Sequence, residues 1–536
     1  MHEAPIFHFN SQRASLVEQT IDRAVETTSD PLFVLNDAAF HETRRLDGTK
    51  RPKDIARLED WRTLARSVGR MSDGERRTKL REIAADYAED IAGNFDPRVY
   101  RLSTRLVPTL VTSLLSPSTL PSLLKRPKKL FSLDALADKV VTMGDVETLQ
   151  NLAKTGTLIF VPTHSSNLDS IVFGFALERC GLPPATYGAG KNLFTNPLLS
   201  YFMHNLGAYK VDRRLRHMLY KHCLKTYSTV LIENGFHSLF FPGGTRSRSG
   251  GVEQKLKLGL MGTGIEAYTR TLLAGRERRV FFVPATINYL ITLEAETLIA
   301  DFLSEAGKAR YIIEDDESTR LGRVTTFARQ LLGMDASVVI RFGTPLDPFG
   351  SAVDAEGVSH DRRGRAVDPA DYVKNLDGEV TIDPARDAQY TRELGEAIAK
   401  AYIRETHVMS TNIVAAACFD ELRRHAPSGD LFTVLRIRDH VVSRDELARE
   451  VLRIRDELLD RERSGAVRLS SSVSKCSGGD IVSQAMRAFR GYHTTPVIES
   501  RADGVALRDT NLLFYYQNRL CEHGLGWNPH RPTARK

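Results

Sequence analysis

The chain has 536 residues, 42% of them hydrophobic and 26% charged, the proportions of an ordinary globular protein with two or three domains and a sizeable core. A formal charge of +7 and a pI of about 9.0 suit an anionic partner: phosphate, a coenzyme A-like donor, an acidic carrier protein or a membrane surface. The excess is too diffuse for the dense basic stripe of a nucleic-acid binder, so no nucleic-acid partner is expected.

The opening "MHEAPIFHFN" has no basic lead followed by an apolar stretch, so no signal peptide is read there. The five cysteines are scattered, odd in number and without zinc or redox spacing. They read as reduced thiols of a cytoplasmic protein. No continuously apolar run reaches the ~18–20 residues of a spanning helix. The uncharged run 106–124 contains three prolines. It reads as an interfacial helix pair lying on a membrane or as a buried helical hairpin.

Residues 1–145 read as a helical region. Leu80, Ile83, Ala84, Tyr87, Ala88 and Ile91 mark one helix face, stopped near Gly93 and Asn94. Across 146–350 strands alternate with helices. Strands are expected at 157–162, 207–211, 237–242, 280–290 and 337–343, and helices at 168–179, 217–234 and 255–274. This predicts an α/β domain with a mixed, mostly parallel sheet flanked by helices, and with chemistry at loops beyond strand ends. Residues 351–390 are polar, rich in Asp, Gly and Pro and without periodicity, and read as a linker or long loop. Residues 391–536 read as a mainly helical C-terminal region. No internal repeat is read.

Two stretches directly follow strands. In "VPTHSSNLDS", Asp169 follows His164 by five positions. If the chain turns and starts a helix near Asn167, the carboxylate folds back beside the imidazole, as a general base and its orienting acid require. Taken alone, a surface histidine and a helix-start aspartate fit the same letters. In "FFPGGTRSRSG", Gly243 and Gly244 allow a tight turn. Arg246 and Arg248 then point the same way, with hydroxyl donors from Thr245, Ser247 and Ser249, which suits a phosphate or an exposed basic loop. The pattern is not a P-loop, so nucleotide hydrolysis is not expected. Beyond the strand at 207–211, Asp212 is followed by Arg213 and Arg214. Lys255 and Lys257 stand at the expected start of a helix.

His-(any four)-Asp, a strand with an arginine pair, a Gly-Thr-Arg-Ser-Arg loop and "VPATINY" on a strand come in that order. Together they resemble the four ordered motifs of the glycerolipid acyltransferase superfamily. The flanks "AEDIAGNFDPRVYRLSTRLV", "HVMSTNIVAAA" and "TNLLFYYQNRLCEHG" resemble the large glycerol-3-phosphate acyltransferases, so the resemblance spans roughly 75–525, with specific motifs only in 160–290. It implies that His164 is the general base and Asp169 its partner, and that Arg213, Arg214, Arg246 and Arg248 bind the acceptor phosphate. Gly244, Thr245, Ser247 and Lys257 stand beside them. The implied substrates are glycerol 3-phosphate, acylated at the sn-1 hydroxyl, and an acyl thioester of coenzyme A or acyl carrier protein. No further cofactor and no metal are expected. The enzyme would sit on the cytoplasmic face of a membrane as a peripheral or monotopic protein. Dihydroxyacetone phosphate and lysophosphatidate are alternative acceptors, and an anionic-lipid-binding protein is the non-enzyme alternative. Oxyanion donors are expected among backbone N–H groups near the helix start after Ser166. One departure stands out: the family's third motif carries a glutamate where this chain has Gly243. Either another acid, Glu233 or Glu253, fills its role, or the role is dispensable in this branch, or activity is impaired.

His-His-x-x-x-Asp, the signature of a different acyltransferase class, does not fit, because Thr163 precedes His164. The Gly-x-Ser-x-Gly turn of esterases is absent.

Overall fold

The computed structural model describes residues 4–103, 140–191, 194, 197–306, 338–426, 430–490 and 492–527. The run 106–124 lies outside them. Four helices open the described chain: α1 (Phe9–Glu26), α2 (Pro31–Leu46), α3 (Pro52–Ser67) and α4 (Asp73–Ile91). A capping box fixes the start of α4, where Ser72 and Glu75 satisfy each other's backbone donors. The six apolar positions read on this helix are all buried. They pack, with α1 and α2, against the helix Met218–Glu233. At the buried end of that helix Arg23 holds Glu233 through two bonds of 2.5 and 2.9 Å.

The centre is a seven-stranded sheet made of β1 (Val140–Met143), β2 (Gly156–Pro162), β3 (Thr186–Gly190), β4 (Ala208–Val211), β5 (Ser238–Leu239), β6 (Arg279–Tyr289) and β7 (Val338–Phe342). Its order is β1-β7-β6-β2-β5-β3-β4. The run from β6 to β4 is parallel, β7 opposes β6, and β1 lies parallel to β7. The sheet is mixed and mostly parallel, as expected. All seven residues of β2 are buried, since a central parallel strand is covered on both faces.

The details differ in four places. The sheet already begins at Val140, ahead of the expected boundary at 146, because β1 pairs with β7. The short strand β3 carries two glycines and escaped the apolar pattern. The helix expected from 255 begins at Gly262, so Lys255 and Lys257 lie in the loop before it. Residues 238–239 alone pair as β5, and the rest of the expected strand turns away into the glycine loop.

The polar stretch 351–390 is built rather than loose. Asp347-Pro-Phe-Gly, Asp354-Ala-Glu-Gly, Asp361-Arg-Arg-Gly and Asn375-Leu-Asp-Gly form the same turn four times. In each, the first side chain accepts backbone N–H groups two and four residues on, at 2.8–3.1 Å. The fourth residue is a glycine at φ between 77° and 89°. Such turns are specified by side-chain acceptors and left-handed glycines, not by apolar alternation. The C-terminal region adds helices and two small sheets, one pairing His407–Val408 with Arg468–Leu469 and one pairing His440–Val442, Gly504–Leu507 and Ile498–Arg501. Its buried residues share one core with β2, β6 and β7. No helix among the described residues is long and apolar enough to cross a membrane.

Candidate active site

β2 ends at Pro162, and the helix Asp169–Arg179 starts seven residues on. The intervening turn closes on its own aspartate. Asp169 is fully buried. Its Oδ2 accepts His164 Nδ1 at 2.8 Å and the N–H groups of Ser165 and Ser166 at 2.6 and 2.9 Å. Its Oδ1 accepts the Tyr289 hydroxyl, from the end of β6, at 2.7 Å. An ionised carboxylate out of water requires such a set of donors. That anion fixes the proton of His164 on Nδ1 and leaves Nε2 as the basic nitrogen. The imidazole stacks on Phe241 with centroids 4.3 Å apart, and its side chain is 20% exposed.

The glycine loop after β5 lies against this turn. Ser247 N–H donates to the His164 carbonyl at 2.7 Å. Gly244 has φ 73°, and a Cβ there would overlap the Lys257 side chain. The Lys257 N–H donates to Pro242 O at 2.7 Å. Arg246 Nη1 lies 3.5 Å from Glu294 Oε1. Buried Glu294 in turn accepts Ser166 Oγ at 2.9 Å and Asn167 N–H at 3.0 Å, so it ties the arginine loop to the histidine turn. Arg248 is exposed and pairs with Glu305 at 2.6 Å. Thr245 is exposed, and Ser247 Oγ donates to Gly251 O.

The structure brings His164, Asp169, Arg246 and Ser247 together, with Gly244 and Lys257 beside them. Arg213 and Arg214 do not join them directly. They are exposed beyond the edge strand β4, three strand spacings, roughly 14 Å, from the line of β2. Arg214 is also engaged by Asp212 at 2.9 and 2.7 Å, so of the pair Arg213 is better placed to meet an anion. The backbone donors expected for an oxyanion near Ser166 are otherwise committed. Ser165 and Ser166 N–H serve Asp169, Asn167 N–H serves Glu294, and Leu168 N–H meets Ser166 Oγ. Ordering the turn around a buried carboxylate consumes them.

Three residues of the site had no assigned role from the sequence, Tyr289, Glu294 and Arg519, and Glu253 was named only as a substitute for the missing acid, not as a contact of the histidine turn. Arg519 is buried and donates to Ile287 O at 3.1 Å and Asn288 Oδ1 at 2.8 Å. Burial lowers its pKa, while the nearby Glu253 and Asp169 oppose that. Their signals are tertiary: each reaches the histidine turn or its surroundings from a distant part of the chain. A grouping invisible in sequence spacing lies elsewhere. Glu421, His425 and His440 hold one donor atom each within 4.8 Å of one another, but Arg424 already neutralises Glu421 at 3.0 Å.

A family model described as Acyltransferase matches residues 144–288, from the end of β1 into β6. The chain is 27% identical over 285 residues to a glycerol-3-phosphate acyltransferase of Pseudomonas fluorescens, a match covering 53% of this chain and 30% of that protein. It is 29% identical over 213 residues to a glycerol-3-phosphate acyltransferase of Pseudomonas paraeruginosa, covering 39% and 24%. The chain therefore spans less than a third of the length of either relative. A solved 1-acyl-sn-glycerophosphate acyltransferase from Thermotoga maritima aligns with 56% of this chain and 91% of its own at 16% identity and a TM-score of 0.26.

Proposed function

We propose, from the premise that the chain belongs to the glycerolipid acyltransferase superfamily, that it transfers a fatty acyl group from a thioester to the sn-1 hydroxyl of glycerol 3-phosphate. The observation that carries the proposal is the buried Asp169 carboxylate aligned on His164 Nδ1 at 2.8 Å. His164 Nε2 takes the proton of the acceptor hydroxyl as its oxygen attacks the thioester carbonyl. The tetrahedral intermediate then expels the thiolate, and the imidazolium returns the proton to sulfur. Asp169 stabilises the imidazolium and remains ionised. No covalent enzyme intermediate is needed, and Ser165 need not be a nucleophile. The acyl donor is a coenzyme A or carrier-protein thioester.

Arg246 is a proposed phosphate ligand. Glu294 Oε1 lies 3.5 Å from its Nη1, so an incoming phosphate meets a guanidinium already oriented by a buried carboxylate. Thiol release from palmitoyl-coenzyme A, followed with glycerol 3-phosphate, dihydroxyacetone phosphate or lysophosphatidate, tests the acceptor. Release that depends on glycerol 3-phosphate supports the reading, and release with another acceptor moves the substrate. Silence with all three, and again with an acyl carrier donor, would leave an anionic-lipid-binding protein. Arg246→Ala is expected to raise KM for the phosphorylated acceptor about tenfold or more, the scale of one charge-assisted contact, with KM for the donor nearly unchanged. Equal rises in both would remove phosphate binding from Arg246.

The product and the acyl chain partition into lipid, so the protein is expected at a membrane surface as a peripheral or monotopic protein. Phe33 and Phe40, both more than half exposed and seven residues apart on α2, with Arg44 against Phe40, offer an apolar and basic face of the kind that binds interfaces. High salt or detergent should release the protein from membranes. Residence that resists carbonate would overturn this placement.

A further inference from the structure

Where the third motif has a glycine, the fold delivers an acid by another route. Glu253 stands ten residues after Gly243 and turns its carboxyl back over it. A Cβ built on Gly243 would lie 2.5 Å from Glu253 Oε2, 2.6 Å from Cδ and 2.8 Å from Oε1. The carboxyl thus fills the volume a side chain at 243 would need, and the two positions are sterically exclusive. Glu253 Oε1 accepts the His164 N–H at 3.0 Å. With Ser247 N–H on the His164 carbonyl at 2.7 Å, both polar backbone groups of the histidine are held by the segment that follows β5. Glu253 Oε2 is buried and has no hydrogen-bond partner among the described residues. The other acid near in sequence, Glu233, is committed to Arg23 and Arg276.

We propose that Glu253 is a positioning residue for His164: it occupies the space freed by Gly243 and anchors the backbone from which the imidazole reaches the acceptor hydroxyl. The proposal rests on acyl transfer by His164 for its kinetic consequences, but not for the contact itself.

The ionisation of Glu253 fits this role. Burial, reinforced by the Asp169 charge and opposed by the His164 N–H and Arg519, pushes its carboxyl up to about 8. At neutral pH it is mostly protonated, so glutamine reproduces its shape, charge and acceptor oxygen. Because the folded pKa lies above the unfolded one, the group's stability contribution is complete below the ordinary carboxylate range and is lost as pH rises towards 8. Glu253→Gln escapes that loss, and its melting temperature should exceed the wild type's at pH 9 and match it near pH 4.5.

The test compares wild type, Glu253→Gln, Glu253→Ala, Gly243→Ala and the Gly243→Ala/Glu253→Ala pair. Two readouts are used: steady-state acyl transfer, and the rate at which diethyl pyrocarbonate modifies His164, mapped by mass spectrometry. Glu253→Gln should keep kcat and His164 reactivity within threefold. Glu253→Ala should lower kcat at least tenfold with acceptor KM within twofold, and change His164 reactivity at least threefold. Gly243→Ala should mimic Glu253→Ala by displacing the carboxyl, and the double variant should be no worse than either single one. The modification rate needs no substrate, so it tests the proposal even if no acceptor supports turnover. Normal kcat and normal reactivity in Glu253→Ala would overturn the proposal, as would a glutamine variant as impaired as alanine or an effect confined to acceptor KM. Should Glu253→Ala fail to fold, the glutamine variant and Gly243→Ala decide by the same criteria.

Discussion

Replacing His164 by alanine is expected to lower kcat by about 10²- to 10⁴-fold, the range of general base catalysis, while the protein still melts cooperatively within a few degrees of wild type. The imidazole is mostly buried, stacked on Phe241 and bonded to Asp169. The Ser165 and Ser166 N–H groups and the Tyr289 hydroxyl still hold the Asp169 carboxylate without it, so the turn is expected to survive. Asp169→Asn should be similarly slow for a different reason. An amide oxygen can still accept Ser165 and Ser166 N–H, and Tyr289 can rotate its hydroxyl to accept from the amide nitrogen instead of donating. The turn survives, but the negative charge that stabilises the imidazolium is gone. The check is kcat beside a thermal melt for each variant. Wild-type rates in either would sink the base assignment, and an unfolded Asp169→Asn would show that the carboxylate's role is first structural.

The second large effect is expected from the tail. A chain ended after Arg508 should lose cooperative folding of its C-terminal region and all turnover. Leu512, Leu513, Phe514, Tyr515, Tyr516 and Leu520 are each at most 3% exposed. At about 1.5–3 kcal/mol per buried apolar side chain their combined burial rivals the ~5–15 kcal/mol stability of a typical domain. The loss also reaches the site. A Cβ on Gly250 would stand 2.3 Å from Tyr515 O, and Asn518 donates to Ser249 O at 2.9 Å, so the arginine loop leans on the tail. Limited proteolysis and near-ultraviolet circular dichroism would report it. A truncated protein that melts like the full chain would show the tail to be dispensable.

The sequence revealed most where the physics is local. His164 and Asp169 are five residues apart across one turn, and the strand before them is continuously apolar, so the pair and its place at a strand end were readable. What escaped was set by partners from far away. Glu294 reaches Ser166 across 128 positions and Tyr289 reaches Asp169 across 120. Arg214 is a different case, since the carboxylate that engages its guanidinium, Asp212, stands only two residues before it. The four repeated turns of 347–378 were legible in principle. Their signal is Asp or Asn followed three residues later by glycine, a pattern that a search for apolar periods passes over.

The contact between the arginine loop and the tail has a consequence for how the protein is made. Ser249 and Asn518 are separated by 269 positions. A ribosome adding roughly 5–20 residues per second needs about 15 to 50 seconds to travel between them. During that interval the nascent chain has exposed its histidine turn and its arginines, yet the surface that braces the loop has not been synthesised. The arginine loop therefore cannot take its final support when it is first made. A partly translated chain should leave that loop unbraced until the helix Thr510–Gln517 and the Asn518 that follows it have emerged and docked.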